Sequence, residues 1–250
     1  MHKTLAITLV LTLLFTAGIS HADDWPQWRG INRDGNWNES GLINQFESDE
    51  IKLKWRIPIG PGYSGPTVSD GRVFITYRIA EPQQERVLCV SEKTGEELWS
   101  YTYPCEYRIG YTAGPRASVT VENNKAYALG AMGHLHCFDA DSGKILWNRD
   151  LNTDYKIKMP IWGIAGSPII HEDTIVLQIG GSDVCVIGLN KYTGKSQWGA
   201  LKERACYAAP VLVNQGGVPV VVCWTGDSVS GVDPKSGKVF WNHPFPPSRM

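Results

Sequence analysis

The chain has 250 residues, with 24 Lys and Arg against 25 Asp and Glu, for a formal net charge of −1. That balance excludes the basic footprint expected of a nucleic-acid or anionic-membrane binder. At 42% hydrophobic and 20% charged residues the chain reads as globular rather than disordered, and 26 glycines and 15 prolines suit one large all-β domain with many tight turns.

Residues 1–22 read as a secretory signal peptide. His2 and Lys3 give a positive start, Leu5 to Ala17 is an apolar run broken only by threonines, and Ser20-His21-Ala22 places small residues for cleavage after Ala22. The run is too short for a membrane span. No cysteine stands at the cleavage site to carry a lipid anchor. An exported, periplasmic or extracellular protein is expected, with 23–50 as an N-terminal extension and 51–250 as the folded domain.

From residue 51 onward the chain repeats itself. The segment Ile51–Ile57 reads as a single outer strand carrying Trp55. Four full units follow, at about 64–103, 115–151, 166–201 and 208–245. Each divides into four short runs rich in Val, Ile and aromatics, separated by turn formers such as Asp70-Gly71, Asn123-Asn124, Gly180-Gly181 and Gly216-Gly217. Each unit ends on Gly, three residues, Trp: Gly95 with Trp99, Gly143 with Trp147, Gly194 with Trp198, and Gly237 with Trp241. The tryptophans are 48, 51 and 43 residues apart. A repeat of roughly 40–50 residues made of short strands is the mark of a β-propeller blade. A lone four-stranded sheet cannot bury both faces, so a flat side chain at a fixed place is expected to cover the next blade. The four Gly/Trp pairs and Trp55 are therefore read as blade-docking residues.

Six cysteines, Cys89, Cys105, Cys137, Cys185, Cys206 and Cys223, form no C-x-x-C or vicinal pair. Cys89 and Cys137 sit at equivalent strand positions and read as small buried residues. Cys105 and Cys206 fall in inter-blade loops, where pairing stays open. His134 and His136 alternate on one strand face, but no third or fourth ligand accompanies them, so no metal site is assigned. No catalytic residue is assigned either, since the Asp-Gly and Gly-Asp pairs are accounted for by turn geometry. The inter-blade loops open on the face where propellers bind ligands. They carry Tyr107, Arg108, Tyr111 and Arg116 in the first, Lys158 and Trp162 in the second, and Arg204 and Tyr207 in the third. These are the candidate funnel-face residues; the competing reading is that the aromatics pack the loops and Arg116 pairs with a carboxylate inside the channel.

Several stretches carry a family resemblance. Asp24-Trp25-Pro26-Gln27-Trp28-Arg29-Gly30 with Arg33-Asp34-Gly35, then Gly114–Ser118, Ala128–Gly133 and Trp162–Pro168, resemble the PQQ-like, quinoprotein-alcohol-dehydrogenase-like β-propellers. Within these, the chain is most similar to a secreted branch found in planctomycete-type bacteria. The resemblance covers Asp24 to about Phe245 and implies an all-β propeller of four-stranded antiparallel blades. Members have seven or eight blades, so four full units and one lone strand imply an incomplete ring, with two uncovered sheet faces. Such an arc is expected to be unstable alone, oligomeric, or a fragment without independent function.

The resemblance also implies what an active member needs: a Cys-Cys pair, Ca²⁺ held by Glu and Asn, and an Asp base around PQQ. The sequence contains no Cys-Cys dipeptide and no C-x-x-C-H. No cofactor is expected on that reading, with PQQ and Ca²⁺ as the alternative. Three functions compete: a non-catalytic propeller binding a protein or polysaccharide, a PQQ-dependent oxidoreductase, and a fragment. A related outer-membrane assembly lipoprotein illustrates the first, although its lipid-bearing cysteine has no counterpart here.

Overall fold

A computed structural model describes residues 23–46, 51–111 and 113–246; the expected signal peptide lies outside them. Among the described residues sixteen strands form four separate four-stranded antiparallel sheets, and each sheet uses consecutive strands. Blade 1 contains β1 (Thr67–Ser69), β2 (Arg72–Ile79), β3 (Gln84–Ser91) and β4 (Glu97–Pro104). Blade 2 contains β5 (Thr120–Glu122), β6 (Lys125–Leu129), β7 (His134–Asp139) and β8 (Ile145–Asp150). Blade 3 contains β9 (Ile169–His171), β10 (Thr174–Gln178), β11 (Val186–Asn190) and β12 (Ser196–Ala200). Blade 4 contains β13 (Val211–Gln215), β14 (Val218–Trp224), β15 (Ser228–Val232) and β16 (Val239–Pro244).

Three details depart from the sequence reading. The middle runs of blade 1 are not short: β2 and β3 are eight residues each, because Arg78 pairs with Glu85 and Ile79 with Gln84. A short helix, α1 (Leu151–Tyr155), follows β8; Asp150 caps it by accepting from the Thr153 N–H at 3.1 Å. The segment 51–57 joins no ladder, so only its tryptophan keeps the blade pattern.

Burial follows position within each blade. In blade 3, β10 is buried at all five positions, whereas outer β12 is mostly exposed. Middle strands are covered by neighbouring blades on both faces and so read as continuous apolar runs. The core accordingly lies in the seams. Phe74, Trp99, Ala126 and Phe138 pack between blades 1 and 2. Tyr127, Leu135, Ile175 and Ile187 pack between blades 2 and 3. Ile169, Val186, Val221 and Cys223 pack between blades 3 and 4. The outer side of blade 1 packs against Trp55 and Ile57.

The Gly/Trp repeat explains the stacking. Each indole lies on the turn glycine of the following blade: Trp55 on Gly95, Trp99 on Gly143, Trp147 on Gly194 and Trp198 on Gly237. A Cβ on these glycines would stand 2.5–2.8 Å from the ring. Each indole N–H also donates to a carbonyl three residues before that glycine, on Glu92, Ala140, Lys191 and Pro234, at 2.8–3.1 Å. Shape and hydrogen bond therefore fix the angle between blades together. Trp241 bonds within its own blade, to Gln215 Oε1 at 3.1 Å, and the adjoining Val239, Phe240 and Phe245 are exposed.

The cross-strand partners of Trp99, Trp147, Trp198 and Trp241 are Cys89, Cys137, Gly188 and Gly231, all small. A ladder irregularity follows each of them, which lets the large ring lie over its own strand pair. All six cysteines are free thiols. Burial pushes Cys89, Cys137 and Cys223 up to about 12.

The N-terminal extension runs along the inner edges of the blades. Trp25 exchanges two backbone hydrogen bonds with Val68 on β1, at 2.9 and 3.0 Å, and Pro26 O accepts from Val121 N–H on β5 at 2.8 Å. Arg33 reaches blades 3 and 4, donating to Pro168 O and Pro210 O, both at 2.7 Å, and to Ser167 O at 3.2 Å. It is buried, and desolvation lowers its pKa to about 10. One strap thus touches all four blades.

Candidate functional site

The chain enters each inner strand along an equivalent path, so equivalent residues meet around the axis. The residue four positions before the first residue of β1, β5, β9 and β13 is Tyr63, Arg116, Ala165 and Tyr207 respectively. All four line one cavity of about 500 Å³, joined by Tyr111 and Trp162 from the longer loops. Small residues behind them let the strands converge: Ser118 N–H donates to Ser167 Oγ at 3.0 Å, and a Cβ on Gly166 would stand 3.1 Å from Ala208 O.

The aromatic residues face each other in two pairs. Tyr63 and Tyr111 stack with centroids 5.9 Å apart and share a 2.5 Å hydroxyl–hydroxyl bond. Trp162 and Tyr207 lie 4.9 Å apart at 32°. Tyr63, Tyr111 and Trp162 are 55%, 49% and 52% exposed, so their faces are available to a ligand. Arg116 supplies the only charge on this lining. Its guanidinium donates to Gly114 O and to Tyr111 O, the latter at 2.6 Å, and burial lowers its pKa. A second cavity of about 500 Å³ shares Tyr63 and Arg116 and adds Trp25, Trp28, Arg29 and Trp37 from the strap.

The other candidates fall elsewhere. Lys158 and Arg204 line a third cavity, of about 440 Å³, which shares Tyr207 with the first. Arg204 grips Asp227 at 2.7 Å, which holds the Asp227 carboxyl below its usual range. Arg108 pairs with Glu106 at 2.7 Å on the open surface. Tyr107 is buried, and with Tyr103 it donates a hydroxyl to the buried carboxylate of Glu85, which also accepts from Ala131 N–H at 3.1 Å. Burial, then the Glu85 charge, raises the pKa of both tyrosines. This cluster clamps blade 1 to blade 2. His136 packs against Tyr103 at 4.5 Å, and burial lowers its pKa to about 4. Among the described residues no three His, Cys, Asp or Glu gather as a metal site.

Tyr63, Trp37 and Glu85 were not singled out from sequence, and Trp25 and Trp28 were named only within the N-terminal motif. Tyr63 and Tyr207 share a signal that could have found them, an aromatic three residues before the Pro that leads into an inner strand.

Comparison with known proteins agrees with this architecture. The chain is 28% identical over 200 residues to a dehydrogenase subunit of an alcohol dehydrogenase (quinone) from Gluconacetobacter polyoxogenes, covering 72% of this chain and 26% of that protein. It is 23% identical over 218 residues to a quinoprotein alcohol dehydrogenase of Pseudomonas putida, covering 77% and 35%. The chain thus spans about a quarter to a third of the curated relatives it matches. Among solved structures, the quinohemoprotein alcohol dehydrogenase of Comamonas testosteroni superposes with a TM-score of 0.69 at 16% identity, covering 90% of this chain and 41% of that one. BamB from Moraxella catarrhalis superposes with a TM-score of 0.53 at 15% identity, covering 77% and 51%. These likenesses support the propeller fold. A family model described as outer membrane protein assembly factor BamB, built of PQQ-type repeats, matches residues 83–249, more than half of the sequence, and the chain belongs to that family.

Proposed function

We propose that this chain is an exported, non-catalytic binding module that holds a protein or a polysaccharide on the aromatic rim at its axis. The observation that carries the reading is the convergence of four equivalent inner-strand positions on one cavity faced by exposed aromatic rings. Export rests on the signal-peptide pattern with cleavage after Ala22. The family description, which names outer membrane protein assembly, is consistent with a partner-holding role outside the cytoplasm. No helix among the described residues is long and apolar enough to cross a membrane.

Similarity to quinone-linked alcohol dehydrogenases supports a second reading, a PQQ-dependent oxidoreductase. The residues at the rim do not fit that cofactor. PQQ carries three carboxylates, whereas this cavity has one cation, Arg116. Its lining also has no carboxylate or amide side chain to ligate Ca²⁺. The deciding experiment adds PQQ and Ca²⁺ to the purified protein and records quinone absorbance and dye-linked alcohol oxidation. No retained quinone and no turnover are expected; saturable quinone binding with turnover would replace the binding reading with the enzymatic one.

A further inference from the structure

The two axial cavities adjoin at Tyr63 and Arg116, which line both, and together make a composite trough. At one end Trp37 packs on Trp25 at 5.6 Å, with Trp28 close by. At the other stand Trp162 and Tyr207. The strap builds the first end and the blade 3 and blade 4 loops build the second.

Charge along the trough is one-sided. Arg29 and Arg116 are the only charged residues lining it, and neither cavity wall carries an Asp or Glu. Arg29 is exposed and lies 5.5 Å from the Trp28 ring; Arg116 lies 5.9 Å from the Tyr63 ring. Each cation therefore sits beside an aromatic face. Pairing of that kind suits a ligand with flat C–H faces and carboxylates on the same rings. Sugar rings present such faces to indole and phenol rings, and uronic acids carry the carboxylate. A concave trough of separate rings also admits a chain one ring wide more readily than the broad, closely packed surface of a folded partner.

From this arrangement we infer that the trough binds an acidic polysaccharide, a polymer containing uronic acid units. The sugar faces lie on Trp162, Tyr207 and the strap tryptophans, and the carboxylates face Arg29 and Arg116. The inference rests on the non-catalytic reading and names its ligand class.

Affinity electrophoresis of the full chain through gels containing polygalacturonate, alginate or neutral dextran tests it. Retardation by at least one uronate and none by dextran is expected, weakening as salt screens the arginines. Trp162→Ala is expected to weaken retardation about tenfold, and Arg29→Gln with Arg116→Gln by a similar factor while flattening the salt dependence. Circular dichroism of each variant checks that the fold is kept; Trp162 is half exposed, so its loss leaves no core cavity. Equal retardation by dextran would overturn the acidic class. Undiminished retardation of Trp162→Ala would overturn the location. No retardation by either uronate, or competition for the rim by a peptide alone, would overturn the glycan assignment. None of these results produces alcohol oxidation with PQQ, so failure here is distinct from failure of the non-catalytic reading.

Discussion

Replacing Gly143 by alanine puts a methyl group where the Trp99 indole lies, 2.5 Å from Cδ2, at a backbone φ of +69°. Two costs combine. A side chain in the left-handed region costs about 1–2 kcal/mol. The ring must also lift from its seat, which strains the packed seam and loosens the bond from the indole N–H to Ala140 O, now 2.9 Å. A loss of about 4 kcal/mol is expected in all. Gly71→Ala is the matched control: its φ is +71°, yet a Cβ there meets nothing within 4 Å. It should lose only the left-handed cost, about 1–2 kcal/mol. Urea unfolding followed by circular dichroism and tryptophan fluorescence reads both, and Gly143→Ala alone should alter the native emission spectrum. Equal losses in the two variants would refute the claim that indole-on-glycine contacts set the blade stacking.

Three further outcomes are expected. His136 is depressed from 6.5 to about 4, so its contribution is complete above pH 6.5 and fades as pH falls towards 4; His136→Phe, which keeps a ring beside Tyr103, should flatten urea midpoints across that window by about 3 kcal/mol. Tyr103 and Tyr107 are raised above 10, so stability should decline as pH climbs past 10 while the unfolded tyrosines ionise, and Tyr107→Phe should make that decline shallower in alkaline urea titrations. Arg33→Met leaves Ser167 O and Pro210 O without that donor, while Pro168 O keeps the Thr120 hydroxyl, and should cost about 2–3 kcal/mol, with limited proteolysis cutting residues 23–37 before any blade; an unchanged cleavage pattern would count against the strap.

The blades were legible because Gly, three residues, Trp recurs with turn formers at matching offsets, and both obey local rules. Trp55 has no such glycine and was placed only by its outer-strand-like segment; its indole sits on Gly95 although that segment makes no ladder. The rim was legible only in part. Tyr111, Arg116, Trp162 and Tyr207 come together, while Arg108, Lys158 and Arg204 lie outside that cavity and Tyr107 turns inward to Glu85. A loop residue's direction is set by what it meets across the seam, and no periodicity in its own segment records that. Glu85 was hidden for the same reason: its partners come from β4, the following loop and blade 2. The strap was seen as a motif, but its path across four blades depends on backbone carbonyls, which leave no mark on residue choice.

Every repeat carries both halves of its joint, an indole facing onward and a glycine seat facing back. A duplicated or deleted copy would therefore meet neighbours already shaped to receive it, and no residue would have to change in step. Blade number can drift in such a lineage while the joint chemistry stays constant. The strap is the one part tied to particular copies, because Trp25 and Arg33 reach blades 1, 3 and 4 by name rather than by rule.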